Sequence, residues 1–184
     1  FNIFHSILQP FFEPFVEGVK NVVQKIVNAS VDAYTAVAQN FLPTPDKSHY
    51  MFNLRDLTNV VQGIMRAKPD SVSTPQVLEK LWLHENVRVY SDRLVCDEDR
   101  KQLQDILTGT MKKRFGADLS VEDIFEGPLL FSDFLRGFVA DNERFYEEVP
   151  SYEKARKVLE DYLEEYHYTR RNQSDTILFF DSAV

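Results

Sequence analysis

An arginine in the first turn of a helix is the residue in this sequence most open to chemistry. The segment His49-Tyr50-Met51-Phe52-Asn53-Leu54-Arg55-Asp56-Leu57 follows the loop Leu42-Pro43-Thr44-Pro45-Asp46-Lys47-Ser48. Asn53 is a good N-cap, and Leu54, Leu57, Val60, Val61, Ile64 and Met65 recur at helical spacing. Arg55 therefore stands at the positive end of the helix macrodipole, where a cation is disfavoured by about 0.3–1 kcal/mol. Asp56 beside it is placed to offset part of that cost. A cation held there suits an anion from outside the segment, such as a nucleotide phosphate, or a local surface ion pair.

Two further arginines are secondary candidates for anion contact. Arg88 and Arg93 lie within Val87-Arg88-Val89-Tyr90-Ser91-Asp92-Arg93-Leu94, and both also fit pairing with neighbouring carboxylates. His84-Glu85-Asn86-Val87-Arg88 begins like a zinc-protease helix, but an arginine occupies the place of the second histidine ligand. It reads as a polar helix face. Cys96 is the sole cysteine, so the chain holds no disulfide framework or cysteine-rich metal site, which fits a reducing intracellular compartment. A Walker-type glycine-rich loop is missing, and the chain cannot hold a nucleoside triphosphate alone by that route. The acidic run Asp141 to Glu148 lacks the glycine and ligand spacing of a calcium loop and reads as a solvated face. No catalytic residue and no metal ligand is assigned.

These residues need helices to position them. Phe1 to Leu8 reads as a short apolar helix stopped or kinked near Pro10. A long amphipathic helix follows, with Phe15, Val19, Val22, Val23, Ile26, Ser30, Val31, Tyr34 and Val37 on one face. The two prolines after Leu42 end it. The Asn53-capped helix runs to about Arg66. Thr74 caps the next, with Pro75 at its first position and Leu78, Leu81, Trp82, Val89 and Leu94 toward the core. Asp97-Glu98-Asp99 opens another helix and Lys112-Lys113-Arg114 closes it before Gly116, a charge order that suits the macrodipole at both ends. Between Ala117 and Pro150 the pattern loosens. Ser120 to Asp123 fits a capped helical turn, and Pro128 to Phe134 fits a strand or extended docking piece. Ser151 caps a helix carrying Tyr152, Ala155, Val158, Leu159, Tyr162, Leu163 and Tyr166, and a polar loop, Arg170 to Ser174, leads to an apolar last element.

The expected fold is an all-α helical bundle over residues 1–116 with an irregular extension over 117–184. The 184 residues, 43% hydrophobic, can bury a core, and 6 glycines favour long helices over many tight turns. A net charge of −8 argues against a general nucleic-acid binder, which needs a basic face. No apolar stretch approaches the roughly 20 residues of a membrane span, and the start lacks the features of a signal peptide. Without an initiator Met, and with an uncapped apolar end, both ends read as cut from a longer polypeptide.

Taken together, several segments resemble dynein heavy chains, the AAA+ motor proteins, and most the axonemal type. The resemblance rests on Pro43 to Tyr50, Phe52-Asn53-Leu54-Arg55-Asp56-Leu57 with Gln62-Gly63-Ile64, and Leu81-Trp82 with His84-Glu85. It continues through Arg88-Val89, Asp92-Arg93-Leu94, Leu130-Phe131-Ser132-Asp133-Phe134, Tyr152 to Tyr166, and Ile177 to Ala183. It implies the small helical lid of the third AAA+ module, running into the start of the fourth. It further implies a sensor II role for Arg55, toward phosphates held by the preceding large subdomain. The parent would be an ATP-dependent, minus-end-directed microtubule motor using ATP/ADP with Mg, while the isolated chain would be neither catalytic nor loaded with cofactor. Implied partners are the neighbouring AAA+ subdomains, microtubules and dynein intermediate and light chains, with no nucleic acid and no membrane. The implied location is the cytoplasm and cytoskeleton, in a ciliary or flagellar axoneme. From the residues alone, an acidic helical protein–protein interaction module, presenting Trp82 and the tyrosine-bearing helices, is the competing expectation.

Overall fold

The computed structural model describes residues 2–116, 129–140 and 143–169. The helices are α1 (Asn2–Phe11), α2 (Glu17–Asn40), α3 (Leu54–Ile64), α4 (Pro75–Tyr90), α5 (Asp97–Phe115) and α6 (Tyr152–Thr169), with a 3-10 turn at Ser91–Arg93. Two short strands, β1 (Phe131–Ser132) and β2 (Glu147–Glu148), pair antiparallel with Phe131 opposite Glu148. The described residues thus form the expected all-α bundle, with one small β pair attached. No helix among them is long and apolar enough to cross a membrane.

Helix α2 is the central post, packing against α1, α3, α4 and α5. Its buried face carries Val19, Val22, Val23, Ile26, Val27, Ala29, Ser30, Ala33 and Val37. The small residues Ala29, Ser30 and Ala33 let bulkier neighbours approach. Trp82 of α4 is fully buried there, and its indole N–H donates to Ser30 Oγ at 2.9 Å. Ser30 in turn donates to the Ile26 carbonyl, so the one polar atom of the tryptophan is satisfied without water.

The helix ends follow the sequence signals. Thr74 Oγ1 accepts from Val77 N–H at 3.4 Å, with Pro75 at the first position. Gly116 closes α5 at φ 72°, the left-handed conformation that glycine adopts without strain. Helix α1 runs beyond the predicted stop, to Phe11, because Pro10 sits in its last turn, where few helical bonds are lost. Helix α3 ends at Ile64 rather than Arg66.

One expectation changes here. The acidic stretch is not simply a solvated face: Glu147 and Glu148 form β2 and are half-buried, paired with Arg136 and Lys80, while Tyr146 and Val149 on either side are buried. Helix α6, capped by Ser151 Oγ on Lys154 N–H, buries only Ala155 among the described residues. Val158, Leu159, Tyr162 and Leu163 are half-buried, and Tyr152 and Tyr166 are exposed. The core continues from the helices into Phe131 and Tyr146. The proposed turn at Ser120–Asp123, the loop Arg170–Ser174 and the final apolar element lie outside the described residues.

Candidate functional site

The start of α3 is built as a capping box. Asn53 Oδ1 accepts from Arg55 N–H at 2.8 Å, and Asp56 Oδ2 accepts from Asn53 N–H at 2.8 Å. This reciprocal pair fixes the first turn and turns Asp56 inward, where it is buried. Its second oxygen takes Arg93 Nη1 at 2.8 Å. Asp56 therefore does not offset Arg55; its charge is committed to the cap and to Arg93. Arg55 points out, exposed, and its side chain makes no hydrogen bond or ion pair among the described residues. Leu54 and Met51 beside it are both 64% exposed, giving the cation an apolar flank.

Arg93 is placed quite differently. Besides Asp56 it donates to the carbonyls of Met51 at 2.9 Å and His49 at 3.4 Å, and it stacks 4.6 Å over the Phe52 ring. The ring of His49 returns a bond to the Arg93 carbonyl. Arg93 thus ties residues 49–56 to the 3-10 turn and acts as a positioning residue for the helix start that carries Arg55. Arg88 also takes the pairing alternative. Its Nε and Nη2 both reach Glu85 Oε2, at 2.9 and 2.7 Å.

Glu85 and His84 are not a polar surface; both are buried, Glu85 completely. Tyr146 donates to Glu85 Oε1 at 2.6 Å and lies 3.0 Å from His84 Nε2, while His84 Nδ1 meets the Leu129 carbonyl at 3.1 Å. Since Nδ1 faces a carbonyl oxygen, it carries the proton of a neutral ring, and Nε2 lies beside a hydroxyl whose one proton is committed to Glu85. Burial pushes the His84 pKa down, and burial, followed by the hydrogen bond to Glu85 and then the Glu85 charge, pushes the Tyr146 hydroxyl well up. Against this carboxylate lies Gly63, where a Cβ would stand 2.0 Å from Glu85 Oε2. The cluster is a buried lock between α3, α4 and the extension. Among the described residues no group of acids, histidines and cysteine is arranged to hold a metal.

A third tie fixes the loop before α3. Lys47 Nζ bonds Asp99 and also Cys96 Sγ, and Tyr50 donates to Asp99 at 2.7 Å while accepting from Val95 N–H at 3.0 Å. Bonds from the Cys96 thiol and then from Lys47 hold the Asp99 pKa down at about 2. The sequence pattern pointed to Lys47 and Tyr50 as part of one segment, but not to Asp99 as their anchor. For Tyr146 it offered no signal, since its partners are 61 and 62 residues away.

The arrangement is therefore a rigid helix start presenting one unengaged arginine. The model of the AAA+ lid domain matches residues 26–126. The chain is similar to human dynein axonemal heavy chain 6, with 39% identity over 98% of this chain and 4% of that protein. It is 36% identical to mouse dynein axonemal heavy chain 1 over 92% of this chain, and 32% identical to human dynein axonemal heavy chain 10 over 99%. In both cases, too, the match spans 4% of the relative's length. The chain belongs to the AAA+ lid domain family, in the form found in axonemal dynein heavy chains.

Proposed function

We propose that this chain is the lid of the third AAA+ module of an axonemal dynein heavy chain, residues 1–116, running through 117–184 into the fourth. In this reading Arg55 is the sensor arginine that reaches nucleotide phosphates bound by the preceding large subdomain. The observation that carries the proposal is the exposed, unengaged Arg55 side chain on a first turn whose own carboxylate is turned away. Holding a cation at a helix N-terminus without a partner costs free energy, and an incoming phosphate reverses the sign of that interaction.

The residues fit a share of a nucleotide site and not the whole of one. ATP or ADP with Mg, held in the parent motor by other subdomains, supplies the negative charge. Arg55 supplies a charge-assisted donor, and Leu54 and Met51 supply apolar contact around it. Arg93, the capping box and the Lys47–Asp99 tie keep that donor in place. When phosphate is present the lid is drawn toward the large subdomain, and when it leaves the lid is released. The packed helices carry the rotation onward to the next module, so the lid would report nucleotide state around the ring of a minus-end-directed microtubule motor. Its partners are the adjoining AAA+ subdomains, and through the parent protein microtubules and the intermediate and light chains of the axoneme.

A distance probe between α4 and the preceding subdomain of the intact motor tests this. Addition of ATP should shorten the distance in the parent and leave it unchanged in Arg55→Ala. An equal response in both would refute the sensor role.

A further inference from the structure

The loop between α2 and α3 carries a hydroxyl that the site around Arg55 does not use. Thr44 lies in Leu42-Pro43-Thr44-Pro45-Asp46-Lys47, exposed and outside every helix and strand. Pro45 biases the Thr44 backbone away from helix, as Pro43 does for Leu42, so residues 42–44 stay free of helix before the bend at Pro45. Lys47 N–H is shared between the Thr44 carbonyl at 3.0 Å and Thr44 Oγ1 at 3.2 Å. The hydroxyl therefore only accepts, and among the described residues its own proton goes to no acceptor. Thr35, Thr58, Thr108 and Thr110 differ, each donating to the helix carbonyl four residues back. One other threonine, Thr74, precedes a proline, but its Oγ1 caps α4 and Pro75 opens that helix. A Thr-Pro pair in an exposed loop fits the extended cleft of a modifying enzyme. One at the head of a helix does so only by unwinding the first turn.

We propose that Thr44 is a phosphorylation site, modified by a proline-directed protein kinase. The γ-phosphoryl group of ATP is transferred: a bond forms between Thr44 Oγ1 and phosphorus, and the bond from phosphorus to the β,γ-bridging oxygen breaks. ADP leaves, and the hydroxyl proton passes to the kinase's catalytic aspartate. Proline suits the place after the acceptor because it has no N–H, so an apolar pocket buries its ring without stranding a backbone donor. Lys47 is already paired with Asp99, so recognition rests on Pro45. The added group carries a charge of about −1.5 to −2 and three acceptor oxygens. Held at the Lys47 N–H, it competes with Asp99 for the ammonium of that same residue. Lys47 and Tyr50 anchor the loop on Asp99, so the phosphate loosens the tie that holds the chain ahead of α3. The proposal does not depend on any role of Arg55.

The test is incubation of the folded 184-residue chain with Mg-ATP and a purified proline-directed kinase of the mitogen-activated class. A single phosphate per chain is expected, mapped to Thr44 by fragment mass. Transfer should be lost in Thr44→Val, fall about tenfold or more in Pro45→Ala, and stay at the native rate in Thr74→Val. Helical circular dichroism should match the native chain in all three variants, which separates a lost acceptor from a lost fold. In the phosphorylated chain, amide exchange at Val95, whose N–H is held by the Tyr50 hydroxyl, should rise severalfold as the tie loosens. Absence of phosphate on the folded chain overturns the proposal, whether or not a free peptide spanning residues 40–50 is modified. So does phosphate on Thr74 in place of Thr44, or transfer indifferent to Pro45→Ala. Unchanged exchange at Val95 in the fully phosphorylated chain overturns the competition for Lys47.

Discussion

The start of α3 and the end of α4 each place an arginine close to a carboxylate, yet they use the charge in opposite ways. At α4 the charges are spent internally: Arg88 grips Glu85, which is fully buried and also holds Tyr146. At α3 the neighbouring acid turns inward to the cap and to Arg93, and Arg55 is left facing out. Proximity in sequence does not distinguish the two. What separates the two is that Arg88 has an internal carboxylate partner and Arg55 has none among the described residues. Removing scaffold charges should therefore lower stability, whereas removing Arg55 should leave stability alone and affect only what lies outside the chain.

The largest effect is expected at the buried lock. Glu85→Ala strands Tyr146 and Arg88 and should destabilise the chain by about 3 kcal/mol or more in denaturant titration. Gly63→Ala should cost about 2 kcal/mol or more, because Glu85, bonded through both oxygens, cannot withdraw from the new Cβ. In the double variant the clash has no partner, so the combined loss should fall clearly short of the sum. Additive losses would mean that Glu85 does not fix that contact.

Arg93→Ala should come next, at about 2 kcal/mol, since it removes an ion pair, two carbonyl bonds and the Phe52 stack. Amide exchange at residues 49–56 should rise with it. An unchanged exchange pattern would remove Arg93 from its positioning role.

Acid should unlock the scaffold in two stages. The His84 pKa is lowered in the folded chain, so the unfolded chain binds the proton more readily. The stability due to neutral His84 is complete above its unfolded pKa of about 6.5 and declines as pH falls below that. Asp99, held at about 2, contributes stability that is present above its unfolded pKa, near 3.9, and is lost as pH falls from there through about 2. Denaturation midpoints measured from pH 7 to 2 should lose the upper stage in His84→Gln and the lower one in Asp99→Asn. The smallest effect belongs to Arg55→Ala in the isolated chain, within about 0.5 kcal/mol, with relief of the dipole tending to stabilise.

The helical frame was legible because its signals are local. Asn53, Thr74 with Pro75, and Gly116 each mark an end through their own backbone chemistry, and the 3.6-residue spacing of α2 marks its buried face. Arg55 was legible for the same reason, as a charge set against a nearby dipole. The burial of His84 and Glu85 was not, because it depends on Tyr146 and Leu129 arriving from a segment with no clear period. A helix covered on its polar side looks, in sequence, like one exposed there. The inward turn of Asp56 was likewise invisible, since it is decided by Arg93, 37 residues away. Helix α6 was legible as a capped helix, and among the described residues its apolar stripe is half-buried.

Nucleotide affinity at the AAA+ site proposed to lie against this lid in an intact motor, compared between the native chain and Arg55→Ala, tests the central claim most directly. Loss of one charge-assisted bond to phosphate should weaken ATP by about tenfold or more, with chain stability unchanged. Equal affinity in the two proteins would contradict the assignment of Arg55 as the lid's contact with nucleotide.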